Sequence, residues 1–425
     1  MKRYISKIKD LAFSSTAKDT YILFSGNLLS AFWGFVFTII LSNYLDRDNF
    51  GIFSAALNLV VILTSLSDIG ITSGLINFIS SAESRGDVKE SEEYEKAGLN
   101  LRVFVSLMLS LFVFIFSKKI ATSMLATNDP IVSVWVGIIS IVLVVPLYFP
   151  YILQAKKKFI KSIIVDNLYY IFRLASLLGF VYTGYLTLYT SFSTALFGFI
   201  ISLFFAFLFI GTKFLKSKPS KSRYLSLLKF SGWLGVNRIV SSISGRLDIQ
   251  MLASLAGAST TALYSIPSRL ASFLIVLASS FSGVLATRMA RFGNKEEERK
   301  YIIKSTFALI PIILIVIVWA ILAYPTIYIL FPKYLDSVDV FRSLILSNIP
   351  FILTVPSVTA IIYGMKKNVY IGVFSFVQLG LIFVLNLYLI PKFGAMGPTY
   401  TYMVTNSILA IYTWFVVIKH YWFSK

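Results

Sequence analysis

The sequence contains no cysteine and one histidine. Without thiols there can be no disulfide framework, thiolate metal site or cysteine nucleophile. His420 lies close to the end of the chain and reads as an interfacial tail residue, so no metal site and no cofactor are expected. Charge is also scarce. Only 14% of residues are charged, against about 25% in a soluble domain that must cover its surface with them. Acids are the rarer sign, 19 Asp and Glu against 39 Lys and Arg. No P-loop, HExxH or nucleophile elbow occurs. The loops assigned to the outer side are short, and the longest, 324–339, holds only Asp336 and Asp339. A membrane glycosyltransferase or polymerase would need a larger acidic outer domain, so no catalytic residue is assigned and the chain reads as a non-enzyme.

What is abundant is apolar surface: 57% of residues are hydrophobic and the mean hydropathy is +0.79. A crossing takes about 20 mostly apolar residues. Apolar runs place spans near 20–44, 51–80, 99–117, 131–153, 162–183 and 190–210, and again near 227–255, 261–287, 301–324, 341–363, 369–390 and 399–418. The runs are helices, because an open sheet cannot span and the alternation of a barrel is absent. With the N-terminus inside, outer loops carry only Arg47, Lys118, Lys119, Lys333 and Lys392. That asymmetry puts both termini in the cytoplasm. The +20 net charge is thus accounted for by topology and anionic lipid rather than nucleic acid. The basic N-terminus MKRYISKIKD is not followed by a short apolar stretch with a cleavage site, so no cleavable leader is expected. Asp46 and Asp48 read as caps for the second span.

The chain repeats itself weakly, at an offset of about 210 residues. Gly51-Ile-Phe-Ser54 with Leu59 matches Ala262-Leu-Tyr-Ser265 with Leu270. Pro146 ahead of Lys156-Lys157 matches Pro356 ahead of Lys366-Lys367. Two halves of six spans share one orientation and make a parallel repeat. The expected fold is all-α and integral to the membrane, with about twelve transmembrane helices in two six-helix bundles related by a parallel pseudo-twofold around a central cavity. The expected divisions are 1-211 for the N-terminal bundle, 212-226 for a cytoplasmic linker and 227-425 for the C-terminal bundle.

Charges inside spans are the informative exceptions, because each is expensive in hydrocarbon. Arg102 and Arg342 lie near span ends and are expected to snorkel to the interface. Arg173, Arg238, Arg246 and Arg269 lie deeper. The acids available to them are Asp68 and Asp248, with Asp166 near a cytoplasmic end. Cations exceed acids. Either they form a structural network with these acids, or the surplus lines a chamber that accepts an anion, for which the arginine fork suits phosphate. Asp68, in Ser67-Asp-Ile-Gly70, is a proton or Na⁺ site of a coupled transporter or the partner of an arginine. Asp248 pairs with Arg246 or with an arginine of another helix. Gly70-x-x-x-Gly74 permits close helix approach. Prolines 146, 150, 267, 311, 350 and 356 bend helices, and their recurrence in spans four and ten suggests matched kinks.

Asp19-Thr-Tyr-Ile-Leu-Phe-Ser-Gly-Asn27, Leu45-Asp-Arg-Asp-Asn-Phe-Gly51, Ser67-Asp-Ile-Gly70, Gly245-Arg-Leu-Asp248 and Tyr264-Ser-Ile-Pro-Ser-Arg-Leu270 resemble the polysaccharide-biosynthesis flippases. These are the Wzx-like O-antigen translocases of the multidrug/oligosaccharidyl-lipid/polysaccharide exporter superfamily. The resemblance covers nearly the whole chain on loose motifs. It implies alternating access by two bundles and a polyprenyl-pyrophosphate-linked oligosaccharide moved from the cytoplasmic to the outer leaflet for cell-surface polysaccharide assembly. It implies a cell-membrane protein that meets membrane lipids and polysaccharide assembly proteins. Arg173, Arg238, Arg246 and Arg269 would bind the substrate. Asp68 and Asp248 would couple transport to H⁺ or Na⁺, as in an antiporter. A monomer is expected. The alternatives are a multidrug exporter of the same superfamily, whose cavities lean on carboxylates, and a membrane glycosyltransferase or polymerase.

Overall fold

The computed structural model describes residues 15–423 and is helical, with no strand among them. The first half contains α1 (Ser15–Tyr44), α2 (Arg47–Asp68), α3 (Ile71–Ser84), α4 (Val88–Ile115), α5 (Ser117–Met124), α6 (Pro130–Val144), α7 (Phe149–Ala155), α8 (Phe159–Tyr182) and α9 (Leu188–Ile210). The second contains α10 (Lys221–Ser244), α11 (Leu247–Met289), α12 (Lys295–Phe307), α13 (Ile310–Ile321), α14 (Ala323–Leu330), α15 (Val338–Leu346), α16 (Asn348–Thr359), α17 (Val369–Phe393) and α18 (Gly397–Ile418). Ten segments are long and apolar enough to cross a membrane. Two of them, Gly235–Met289 and Val369–Phe423, are 55 residues long. The first is broken at residues 245–246 and again at Gly257, and the second at Gly394–Met396. At about 20 residues per crossing, each supplies two, and the described residues make the twelve expected. This is a multi-pass membrane protein.

The expected span 51–80 is two helices. Ile69 and Gly70 have φ of 42° and 75°, which ends α2 and starts α3. Gly70 adopts this conformation freely, whereas the β-branched Ile69 is strained by it. Pro146 lies in the break between α6 and α7, and Pro356 lies inside α16 just ahead of a π turn, Ala360–Gly364. The two breaks are followed by lysines of left-handed backbone, Lys157 at φ 57° and Lys366 at φ 56°, so the repeat seen in the sequence extends to the backbone.

The chain packs as two compact units. The first comprises residues 1–45, 59–121 and 129–239, and the second 46–58, 122–128 and 240–425. The core of the first gathers Ile71, Leu75, Tyr94, Tyr148, Phe149 and Ile152. The segment before α10 and the first turn of α10 are tied down rather than free. Ser217 donates to the carbonyl of Glu92 at 3.1 Å, and Arg223 pairs with Glu90 and Glu93 at 2.8 and 3.0 Å. Burial opposes the charge of Arg223, but hydrogen bonds to Glu93 and Tyr94 together with the charge of Glu90 outweigh it, and its pKa lies above the usual arginine value. The core of the second unit gathers Met251, Leu252, Tyr264, Val340, Leu344 and Ile390. Asp46 caps α2 there as expected, accepting from the Asn49 N–H at 2.9 Å and from its side-chain amide at 2.6 Å. Gly51 lets α2 meet α11 backbone to backbone, since a Cβ on it would lie 1.9 Å from the Ala258 carbonyl oxygen.

Burial separates the helices by role. In the apolar stretch of Arg47–Asp68, 67% of residues are buried, and in that of Pro332–Gly364 61%, against 22% in that of Tyr21–Tyr44. The exposed faces are themselves apolar, as at Phe204, Ile329, Ile411 and Phe415. A soluble protein rarely leaves such patches open, whereas lipid covers them.

Candidate functional site

The break at 69–70 places a charged cluster in the first unit. Asp68, at the end of α2, caps α3 by accepting from the Thr72 N–H at 3.1 Å and the Thr72 hydroxyl at 2.5 Å. Arg238 of α10 reaches the same carboxylate at 3.1 Å, and Arg102 of α4 lies 3.7 Å from it. The helices come together through glycine: a Cβ on Gly235 would meet the Ile69 carbonyl oxygen at 2.4 Å. Gly74 packs against Leu227 and Ser231, in line with the packing role expected of it. Asp68 thus has the arginine contacts that one of its two readings expects.

Arg102 corrects the sequence reading. It does not snorkel, since only 4% of its side chain is exposed. The K/R position along a span gives depth but not face, and α4 turns Arg102 inward, over the Tyr148 ring at 5.7 Å. Its Nε and Nη1 make no hydrogen bond. One carboxylate thus serves two guanidiniums, and the cluster keeps a net positive charge. The outer member, Arg238, leaves 50% of its side chain exposed. Arg342 behaves as expected, paired with Asp339 at 3.0 Å and 45% exposed.

Arg173 of α8 stacks on Phe37, its Cζ 4.1 Å from the ring centroid, and its Nε has no hydrogen-bond partner. In the second unit Arg246 stands between α10 and α11, where its carbonyl accepts from Asn58 at 2.8 Å. Among the described residues its guanidinium forms no ion pair, although the charge of Asp248 reaches it. Arg269 sits half-buried on α11, its carbonyl accepting from Ser272 at 2.6 Å.

Asp248 is 2% exposed. It accepts from Tyr264 at 2.5 Å and from the Ile249 N–H at 2.8 Å, so the arginine pair expected for it is replaced by a tyrosine. Sixteen residues of straight helix would separate Asp248 and Tyr264 by about 24 Å. Gly257, at φ 82° and ψ 178°, reverses the chain and brings them together; only glycine takes this conformation readily. The same unit holds orphaned polar atoms: both side-chain atoms of Asn386 and the hydroxyls of Thr399 and Thr401. Native structures leave few such groups. Tyr264, Arg102, Asn386, Thr399 and Thr401 are the members that the sequence reading missed. Tyr264 alone had a signal, the glycine midway between it and Asp248.

The polysaccharide biosynthesis protein family model matches residues 16–292, and the chain belongs to that family. Its fold is shared with solved transporters. An inward-facing multidrug resistance MATE transporter of the MOP superfamily superposes with a TM-score of 0.76 at 13% identity, over 92% of this chain and 94% of that one. The lipid II flippase MurJ, in an inward closed conformation, superposes with a TM-score of 0.73 at 15% identity, over 93% and 87%. No curated protein matches the sequence.

Proposed function

We propose that this protein flips a polyprenyl-pyrophosphate-linked oligosaccharide from the cytoplasmic to the outer leaflet of the cell membrane, with both termini cytoplasmic. The observation that carries the reading is the cluster at Asp68: two guanidiniums share one carboxylate, and Arg238 remains half exposed. A phosphate-bearing head group offers the missing negative charge, and an arginine fork accepts it bidentately. Arg173, Arg246 and Arg269 are the further cations of this path, and Asp68 and Asp248 the acids within reach of a coupling ion. Family membership supports the substrate class, and the shared transporter fold supports alternating access of the 1-211 and 227-425 halves about the 212-226 linker.

The test uses vesicles holding the purified protein and a polyprenyl-pyrophosphate oligosaccharide, with an impermeant lectin reporting sugar that reaches the far leaflet. A hydrogen bond to a charged group is worth about 1.5–3 kcal/mol, so Arg238→Ala should slow flipping by roughly tenfold or more. Arg246→Ala removes a guanidinium but keeps the carbonyl that Asn58 uses, and should slow flipping without unfolding. Rates equal to the parent in both variants refute the assignment.

One observation favours export of cationic compounds instead. Asp166 lines a cavity of about 170 Å³ with Asn27, Tyr151, Gln154 and Ser162, and its carboxylate accepts from Ser30 at 2.5 Å with no ion pair among the described residues. If Asp166→Asn abolishes efflux of a cationic dye while Arg238→Ala does not touch it, the exporter reading replaces the flippase.

A further inference from the structure

The second unit carries an apolar groove of about 400 Å³ lined by residues of α12 and α18 and of the turn after α18, among them Ile303, Phe307, Trp414, Ile418 and Trp422. Its few polar atoms are turned away. The Thr306 hydroxyl donates to the Ile302 carbonyl at 2.9 Å, and the Trp414 Nε1–H donates to the Leu353 carbonyl at 2.9 Å. The turn that carries Trp422 is anchored through its neighbour. Tyr421 donates to Glu298 at 2.5 Å and packs on Gly364, where a Cβ would meet its hydroxyl at 2.5 Å. At the mouth Arg299 is exposed and stands over the Trp422 ring, its Cζ 5.5 Å from the centroid. Of the neighbouring acids, Glu298 accepts from Tyr421, Glu296 pairs with Lys300 at 2.6 Å, and the exposed Glu297 makes no ion pair with Arg299. Among the described residues Arg299 forms no ion pair, and exposed Lys419 follows Ile418 directly.

A second apolar groove supplies the contrast. It lies between α8 and α9, lined by Phe172, Gly179, Phe180 and Phe197 among others. The cation beside it, Arg173, is drawn onto Phe37. That groove offers lipid a surface without a charge at its rim. The groove of α12 and α18 combines a dry trough with an unpaired guanidinium at one end, which is the chemistry of a chain with an anionic head.

We propose that this groove seats one acyl chain of an anionic glycerophospholipid of the bilayer, with its phosphate held by Arg299 and its charge supported by Lys419. The site is independent of the transport reading. Two of its walls are tryptophans, so contact quenching by brominated chains reads it directly. Vesicles of phosphatidylcholine containing a minor fraction of brominated phosphatidylglycerol are compared with vesicles containing the same fraction of brominated phosphatidylcholine. The Trp422→Phe variant isolates the signal of that residue. A basic side chain near an anionic head is worth about 1 kcal/mol, so the parent should show on the order of a fivefold preference of Trp422 for the anionic chain. Arg299→Gln, at an exposed position, should reduce this to the level of phosphatidylcholine. Equal quenching by the two lipids in the parent overturns the proposal, as does a preference that survives Arg299→Gln. Displacement of the brominated phosphatidylglycerol by an equimolar polyprenyl phosphate also overturns it, since the occupant would then be the tail of a transported lipid.

Discussion

Replacing Asp68 by Asn tests the charge cluster more sharply than replacing either of its arginines. Arg102 has 4% of its side chain exposed and lies 3.7 Å from the carboxylate, while its Nε and Nη1 find no hydrogen-bond acceptor. It depends on the charge of Asp68. Stripping the counterion from a buried cation costs about 3–5 kcal/mol. Arg238 is 50% exposed and touches the same carboxylate at 3.1 Å, so solvent screens it and its loss costs at most about 1 kcal/mol. Asp68→Asn and Arg238→Gln break the same contact, yet the first should destabilise by about 2–4 kcal/mol more than the second. Arg102→Met removes the stranded cation, and the Asp68→Asn/Arg102→Met pair should recover at least about half of the loss, as coupling between contacting residues requires. Unfolding of the detergent-solubilised protein in an SDS titration, followed by tryptophan fluorescence, measures all four. Equal losses for Asp68→Asn and Arg238→Gln, or no recovery in the pair, would refute the reasoning.

Glycine packing gives a second prediction. A Cβ on Gly51 would lie 1.9 Å from a backbone oxygen, and one on Gly179 meets nothing within 4 Å. Gly51→Ala should destabilise by about 1–3 kcal/mol and Gly179→Ala should be neutral or stabilising by about 0.5–1 kcal/mol, both read in the same titration. The third concerns pH. Burial raises the Asp46 carboxyl, but hydrogen bonds from the Asn49 N–H and amide outweigh it and hold the carboxyl below its ordinary value. The stability it contributes is therefore present above the unfolded carboxyl pKa and is lost as pH falls through the lower folded one. The difference between the parent and Asp46→Ala should be full at neutral pH and vanish in strong acid. A difference that persists unchanged there sinks the cap assignment.

Much of this fold was legible because hydrocarbon imposes length and polarity on every crossing. Spans such as 162–183 and 190–210 lie within a few residues of α8 and α9. The break at Ile69 was not legible. It falls inside one apolar run, and its left-handed residue is a β-branched one that propensity never places there. The lengths of the apolar runs could not say which arginine turns inward either. α4 starts among Glu90, Glu92, Glu93 and Glu95, so it is longer than its apolar part, and the face of Arg102 follows from packing on Tyr148 rather than from distance to a span end. The Asp248–Tyr264 contact needed the reversal at Gly257, and the orphaned Asn386, Thr399 and Thr401 needed coordinates, because a polar residue in a span announces burial but not what it bonds to.

The two intramembrane acids proposed for ion coupling have opposite surroundings, which favours Asp248 as the ion site of the proposed transport cycle. Loading a proton onto Asp68 would strand Arg102 and Arg238 together, and a Na⁺ ion there would have to displace guanidiniums already in contact. Asp248 has no such occupant. It is held by a tyrosine hydroxyl and a backbone N–H, and the nearby Arg246 acts on it only across space. A buried carboxylate without an ion pair requires a counterion or neutralisation, and an exchangeable cation can supply either. On the proposed function, Asp248→Asn should therefore remove the dependence of flipping on an imposed proton or Na⁺ gradient while the protein remains folded and still binds the proposed lipid-linked substrate. Tyr264→Phe, which keeps the ring and removes only the donor, should shift the ion concentration at half-maximal rate without abolishing transport. Unchanged gradient dependence in Asp248→Asn would move the coupling site elsewhere, and collapse of the fold in Tyr264→Phe would make the pair a packing device.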